Sequence, residues 1–241
     1  MGGNEASRIE VRQVWKYMKI CVINAHLPNY QQLAELTTYG NRADYCHRHG
    51  YELKVQTDGF TGGMQHPVSW DRFRFMRDTL AGGFDWAWCS GTDTLNTNFN
   101  IRLEDLIDEN FHVIASAEWC SPFQADSFLV RNSPEGLGWM DTILSMFDKY
   151  KTHTWVEQQA IIDTLPDFKG IVKLLPQRAM NSYDYWLYRE KYPKENRVYS
   201  GVDIFGNDGQ WRTGDFLIHW PGLPLEQRME LVKKYLPFVV K

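Results

Sequence analysis

The sequence is poor in cysteine, in long apolar runs and in clustered positive charge, and each shortage narrows the field. The four cysteines (Cys21, Cys46, Cys89 and Cys120) stand far apart, with no Cys-x-x-Cys pair. Such spacing argues against a disulfide framework, and Cys21 and Cys89 fall in apolar runs that read as buried strands holding reduced thiols. No stretch approaches the roughly 18–20 apolar residues that a membrane helix needs. Met1 to Tyr17 is polar and lacks the apolar centre of a signal peptide. It reads as a mobile leader, with Met18 either an alternative start or a core residue, and a soluble, cytoplasmic protein is expected. Net charge is −4 with no long basic run, which counts against nucleic-acid binding, where phosphate neutralisation needs grouped Lys and Arg. Internal repeats and low-complexity linkers are absent as well, so residues 18–241 are expected to form one α/β domain.

What the chain does have is aromatic side chains, at 15% of residues. Aromatic rings stack on flat base and sugar faces, so part of the surplus fits a binding cleft, and the larger part is expected in the core.

The hydrophobic pattern gives a βαβ opening. Lys19 to Asn24 reads as a first parallel strand. Asn29 is placed to cap a helix that ends at His49-Gly50, with the glycine as a left-handed cap. Glu52 to Gln56 follows as a strand. Ser69 is placed to cap a helix over about Trp70 to Leu80. Phe84 to Cys89 reads as a buried strand, with the polar cluster Ser90-Gly91-Thr92-Asp93-Thr94 at its carboxyl end, where ligands gather in open α/β sheets. A short helix is expected over Leu103 to Asp108 and strands at Val113 to Ala117, Ser127 to Val130 and Ile171 to Leu175. Helices are expected from Glu135 to Tyr150, from a Thr154 cap to near Pro166, and from Leu225 to Tyr235. Phe216 to Trp220 is a last strand, and Tyr183 to Gly214 reads mainly as loops shaping an acceptor side.

Two residues stand out chemically. Asp93, at the tip of a buried strand, suits a divalent cation on a diphosphate, or else a turn or helix cap. His219, ending an apolar run before Pro221-Gly222, suits either a metal ligand or a structural histidine.

Several collinear segments resemble the galactosyl-, mannosyl- and xylosyltransferase family of fungal mannan and plant xyloglucan synthesis. They are Tyr45 to Glu52, Ser69 to Arg72, Trp88 to Asn98, Gln124 to Ser133, Glu157 to Ala160, Pro176 to Tyr183 and Gly214 to Gly222. The resemblance implies a Rossmann-like GT-A domain, with a mostly parallel central sheet flanked by helices. It also implies metal-assisted transfer from a nucleoside diphosphate sugar of the UDP or GDP type to a glycan or other hydroxyl acceptor. Asp93 matches the second acid of that family's Asp-x-Asp motif and His219 its late metal ligand, so Mn²⁺ or Mg²⁺ is the implied cofactor. Asn24, Ala25, His26, Trp70, Arg72, Thr92, Asp93, Gln124 and Gly222 fall on the donor side, and Tyr45 or Tyr51 offers a stacking face. Gln158 matches the glutamine placed beneath the anomeric carbon of retaining relatives. Asp126, where the family has glycine, stands as a second catalytic candidate, and as the general base if the outcome is inversion. Gly91 replaces the motif's first acid. That departure keeps open a non-catalytic nucleotide-sugar or glycan-binding module, and a viral DNA-base glycosyltransferase is a further alternative.

Overall fold

The computed structural model describes residues 18–61, 67–191 and 201–241. The polar leader, and parts of the loops expected around residues 61–68 and 183–214, lie outside them. A six-stranded sheet runs in the order β2-β1-β3-β6-β5-β7. Its strands are β1 (Ile20–Ala25), β2 (Glu52–Gln56), β3 (Trp86–Ser90), β5 (Val113–Ser116), β6 (Ser127–Arg131) and β7 (Val172–Leu175). β1 pairs in parallel with both β2 and β3, and β5 with β7, whereas β6 runs against both its neighbours. The sheet is therefore mostly parallel with one reversed strand. A second, smaller sheet joins β4 (Thr94–Asn96), β9 (Leu217–His219) and β8 (Ser182–Tyr183) in the order β4-β9-β8.

Alternating side chains explain how the large sheet is covered on both faces. Cys21, Ile23, Ala87 and Cys89 point into one core with Trp70, Phe73 and Trp139. Ile20, Val22, Trp86 and Trp88 point into another with Tyr45, Phe99 and Phe216. Burial pushes the Cys21, Cys46 and Cys89 thiols up to about 12, which leaves them inert. Trp70, Trp86, Trp88, Trp139 and Trp220 are all fully buried, so much of the aromatic surplus is core.

The helices are α1 (Gln31–Leu36), α2 (Ala43–His49), α3 (Pro67–Ala81), α4 (Pro134–Ser145), α5 (Phe147–Tyr150), α6 (Val156–Thr164), α7 (Gln177–Met180), α8 (Tyr185–Lys191) and α9 (Leu225–Tyr235). Gly50 caps α2 at φ 74°, a conformation that suits a residue without Cβ. Ser133 Oγ accepts from Gly136 N at 3.0 Å and starts α4.

Several expected boundaries move. Asn29 lies in a one-turn 3-10 segment, Pro28–Tyr30, ahead of α1 and caps nothing. Ser69 sits inside α3, which already begins at Pro67. Trp155, not Thr154, precedes α6, and no side chain caps that helix. The helix expected over Leu103 to Asp108 shrinks to one turn, Leu103–Asp105, and the one expected to Tyr150 breaks at Met146. The stretch after Tyr183 holds α8, and Tyr183, Tyr185 and Tyr188 are buried, because they complete a third core with Ile218, Trp220 and Leu231.

Candidate active site

The site forms where β3 leaves the large sheet and the chain turns into β4. Between α1 and α2 the backbone adopts a π-helical stretch, Thr37–Arg42, whose buried polar side chains grip that turn. Arg42 donates from Nη1 to Gly91 O (3.2 Å) and from Nη2 to Thr94 Oγ1 (2.5 Å), with its guanidinium 5.3 Å from the Trp88 ring. Burial pulls Arg42 down to about 10, which leaves it charged at neutral pH. Thr37 Oγ1 donates to Thr92 O at 2.7 Å, and Asn41 exchanges hydrogen bonds with the Asn96 backbone at 3.0 and 2.8 Å. From the other side Asn24 donates to Ser90 O at 2.6 Å and accepts from Thr92 Oγ1 at 3.1 Å. With its carbonyls tied down, the turn holds Asp93 in a fixed place.

β9 lies beside β4 with His219 opposite Thr94, which brings His219 to Asp93. His219 is fully buried, and its Nε2 lies 3.5 Å from Asp93 Oδ1 and 3.8 Å from Asp126 Oδ2. The remaining oxygen of each carboxylate meets an arginine. Arg228 Nη2, from α9, lies 3.1 Å from Asp93 Oδ2, and Arg72 Nη1, from α3, lies 2.5 Å from Asp126 Oδ1. Burial alone would raise the Asp93 carboxyl, but the Arg228 guanidinium beside it holds it well below the usual carboxylate range. Arg72 also reaches Glu157 Oε1 at 3.4 Å; burial, only partly opposed by Arg72, raises that carboxyl to about 7.

A chain of hydrogen bonds fixes the imidazole from behind. Tyr183 OH donates to Glu118 Oε2 (2.6 Å) and accepts from Asn181 Nδ2 (3.2 Å) and Gln124 Nε2 (3.3 Å). Asn181 therefore turns its Oδ1 to His219 Nδ1, at 2.7 Å. Nδ1 carries the proton in that arrangement, and Nε2 presents a lone pair toward the two carboxylates. Nε2 is buried and has no hydrogen-bond partner among the described residues. A buried acceptor without a partner needs an explanation. Two ligands in adjacent octahedral positions, each about 2.1 Å from a small divalent cation, stand about 3.0 Å apart. The three groups Asp93, Asp126 and His219 offer atoms that all lie within 4.8 Å of one another. The donor set, one imidazole nitrogen and two carboxylates, fits Mn²⁺ or Mg²⁺ after a small contraction.

Beside this cluster opens a cavity of about 440 Å³, within the range of small-molecule sites. Of the residues expected on the donor side, Ala25, His26, Arg72, Thr92 and Asp93 line it, as do Asp126, Gly91 and Arg228. Others fall elsewhere. Trp70 is buried in the core edge-on to Phe147, and Tyr45 and Tyr51 are core residues of the opposite sheet face, so none of the three offers a stacking surface in the cavity. Asn24 is buried, held between Ser90 O and the Thr92 hydroxyl. Gln124 is buried and accepts from Asp126 N at 2.5 Å, holding the loop before β6. Gln158 Oε1 accepts from Ala125 N at 3.1 Å and its Nε2 donates to Glu118 Oε1 at 3.0 Å, so both ends of its amide are engaged. Gly222 has φ 69° and follows the His219-Trp220-Pro221 segment, outside the cavity lining. Arg42, Glu118, Asn181 and Arg228 escaped the sequence reading. Only Arg228 had a signal, a lone arginine on the apolar side of an amphipathic helix.

Comparison with known proteins bears on the fold. The sequence profile of the galactosyl transferase GMA12/MNN10 family matches residues 18–113. No curated protein sequence matches the chain. Among solved structures, a glycosyltransferase involved in glycosylating the major capsid of the virus PBCV-1 superposes with TM-score 0.69 at 17% identity, over 90% of this chain and 99% of that one. The galactosyltransferase LgtC, in complex with donor and acceptor sugar analogs, gives 0.55 at 13% identity over 89% and 95%. GlyE of Streptococcus pneumoniae TIGR4 gives 0.56 at 15% identity over 90% of this chain and 60% of that one. At these identities the structural likeness speaks for the fold, which is the Rossmann-like GT-A fold of glycosyltransferases. No helix among the described residues is long and apolar enough to cross a membrane.

Proposed function

We propose that this chain, a glycosyltransferase of GT-A fold, moves a sugar from a nucleoside diphosphate sugar to an acceptor hydroxyl with a divalent cation held by Asp93 and His219. The observation that carries the reading is the buried His219 Nε2, unpartnered and facing the Asp93 carboxylate at the edge of the cavity. Electrostatics supports it. The formal charges of Arg72 and Arg228 are cancelled by those of Asp93 and Asp126. A diphosphate entering this cavity therefore finds no net positive charge unless a cation comes with it. When bound, Mn²⁺ or Mg²⁺ supplies Lewis-acid stabilisation of the charge that grows on the departing diphosphate.

The protein's own residues do the rest. Ala25, the last residue of β1, and His26 after it receive the nucleoside at the carboxyl end of the strand. Arg72 and Arg228 face the phosphates and give their donor geometry to charge that develops as the glycosidic bond breaks. Gln158 acts as a positioning residue, through the Ala125 amide and Glu118. By resemblance to its family the reaction retains anomeric configuration, with the leaving phosphate taking the acceptor's proton. LgtC, solved in complex with donor and acceptor sugar analogs, supports a sugar donor and a sugar acceptor by analogy of fold.

A panel of UDP- and GDP-sugars tests this, with nucleoside diphosphate release followed with Mn²⁺ and with chelator. At least one donor is expected to be turned over in a chelator-sensitive way. Asp93→Ala and His219→Ala should each lower that release about a hundredfold or more while thermal unfolding still shows a folded chain. Binding without turnover across all donors would instead identify a non-catalytic nucleotide-sugar module.

A further inference from the structure

Position 91 lies in the turn that presents Asp93, and its surroundings leave little room for a side chain. A Cβ built there would stand 2.8 Å from Asp93 Oδ1, 3.1 Å from Asp126 Cβ and 3.2 Å from Asp126 Oδ1. Real Cβ atoms do not approach neighbours at the first of these distances, so any side chain at 91 must displace one of the two acids. The two backbones are also tied to each other, since Gly91 N donates to Asp126 O at 2.8 Å. A side chain at 91 would thus meet the Asp93 carboxylate first and would also crowd the Asp126 carboxylate, which arrives from another strand.

That carboxylate is oriented as Asp93 is. Arg72 takes Asp126 Oδ1, as Arg228 takes Asp93 Oδ2, which leaves Asp126 Oδ2 and Asp93 Oδ1 facing the same buried nitrogen, His219 Nε2. Gln124 fixes Asp126 further by accepting from its backbone N–H. We infer that Asp126 is the third protein ligand of the cation site, supplied from the start of β6, and that Gly91 is required because it makes room for that carboxylate. The inference rests on the cation reading above but adds a ligand and a partner residue to it. It also assigns Arg72 a positioning role: the guanidinium holds one oxygen so that the other points at the cation.

The geometry makes the two positions exchangeable. A carboxylate rooted at 91 enters the same cluster from the other strand, provided Asp126 has been removed. The test is Mn²⁺ binding, read from the loss of the free-ion electron paramagnetic resonance signal, alone and with UDP or GDP present. It is measured on the wild type, Asp93→Ala, Asp126→Gly, Gly91→Asp and the double variant Gly91→Asp/Asp126→Gly, with thermal unfolding of each as a fold control. Asp126→Gly is expected to weaken Mn²⁺ binding by about a hundredfold, the upper end of what even outer-shell partners cost. Gly91→Asp alone should lower the unfolding temperature, because three carboxylates then compete for the space of two. The double variant should bind Mn²⁺ at least tenfold more tightly than Asp126→Gly. If Asp93→Ala abolishes binding while Asp126→Gly binds like the wild type, Asp126 is not a ligand and this inference alone fails. If Asp126→Gly loses binding but the double variant recovers none of it, the exchange of positions fails. If the wild type binds no Mn²⁺ under any of these conditions, both the cation reading and this inference fall.

Discussion

Around Arg72 two acids, Asp126 and Glu157, compete for a single guanidinium. Asp126 takes the short contact, and Glu157, fully buried, is left with the longer one of 3.4 Å. Its carboxyl rises from 4.5 to about 7 because burial outweighs Arg72. In the window between those values the unfolded chain has released a proton that the folded chain keeps, so this group lowers stability as pH rises from 4.5 to about 7. A glutamine has no proton to lose. The difference in unfolding free energy between Glu157→Gln and wild type, followed by denaturant unfolding, is therefore expected to move in the variant's favour across that window, by an amount on the order of 3 kcal/mol at most. Parallel pH profiles for the two proteins would contradict a buried, proton-holding Glu157. At this scale the sequence was legible where a residue ends an apolar run. Asp93 and His219 could be picked out because strand ends are where ligands gather. Glu118 and Asn181 carried no such mark, since a buried polar network is made by tertiary contacts among residues far apart in the chain. Gly91 looked like a missing acid, and only the fold shows that Asp126 comes in beside it from another strand.

Elements were legible when periodicity alone defines them and illegible when direction or strain does. The unbroken apolar runs at Ile20 to Ile23 and Trp86 to Cys89 located β1 and β3, and α9 was expected over the residues it spans, Leu225–Tyr235. The reversal of β6 was not legible, because a strand alternates the same way in either direction. Nor was the π-helical stretch over Thr37–Arg42, whose reward lies in the hydrogen bonds it makes to the turn after β3. Strain marks α6. Val156, its first residue, has φ 36°, a left-handed value that costs a β-branched residue roughly 1–2 kcal/mol. That turn aims Glu157 at Arg72 and Gln158 at the Ala125 amide. Val156→Ala keeps the strain and Val156→Gly removes it, so the glycine variant is expected to be the more stable by about 1 kcal/mol, against the ordinary helix ranking. Denaturant unfolding of the two variants measures this. An alanine variant more stable by a similar margin would mean the backbone at 156 is not strained.

For the whole molecule, the chemistry depends on how the two sheets meet. The large sheet supplies Asp93 and Asp126 from the ends of β3 and β6, and the small sheet brings His219 up beside them. α9 and α3 close the arrangement with Arg228 and Arg72. The resulting cavity carries no net formal charge among these four ionised groups, and that cancellation is why a cation is needed with a diphosphate. Crystals grown with Mn²⁺ and a UDP- or GDP-sugar, with anomalous diffraction recorded at the manganese edge, test this account most directly. It predicts an anomalous peak in contact with Asp93 Oδ1, His219 Nε2 and the donor's diphosphate. A donor bound in this cavity without a metal peak, or a peak away from His219, would contradict it.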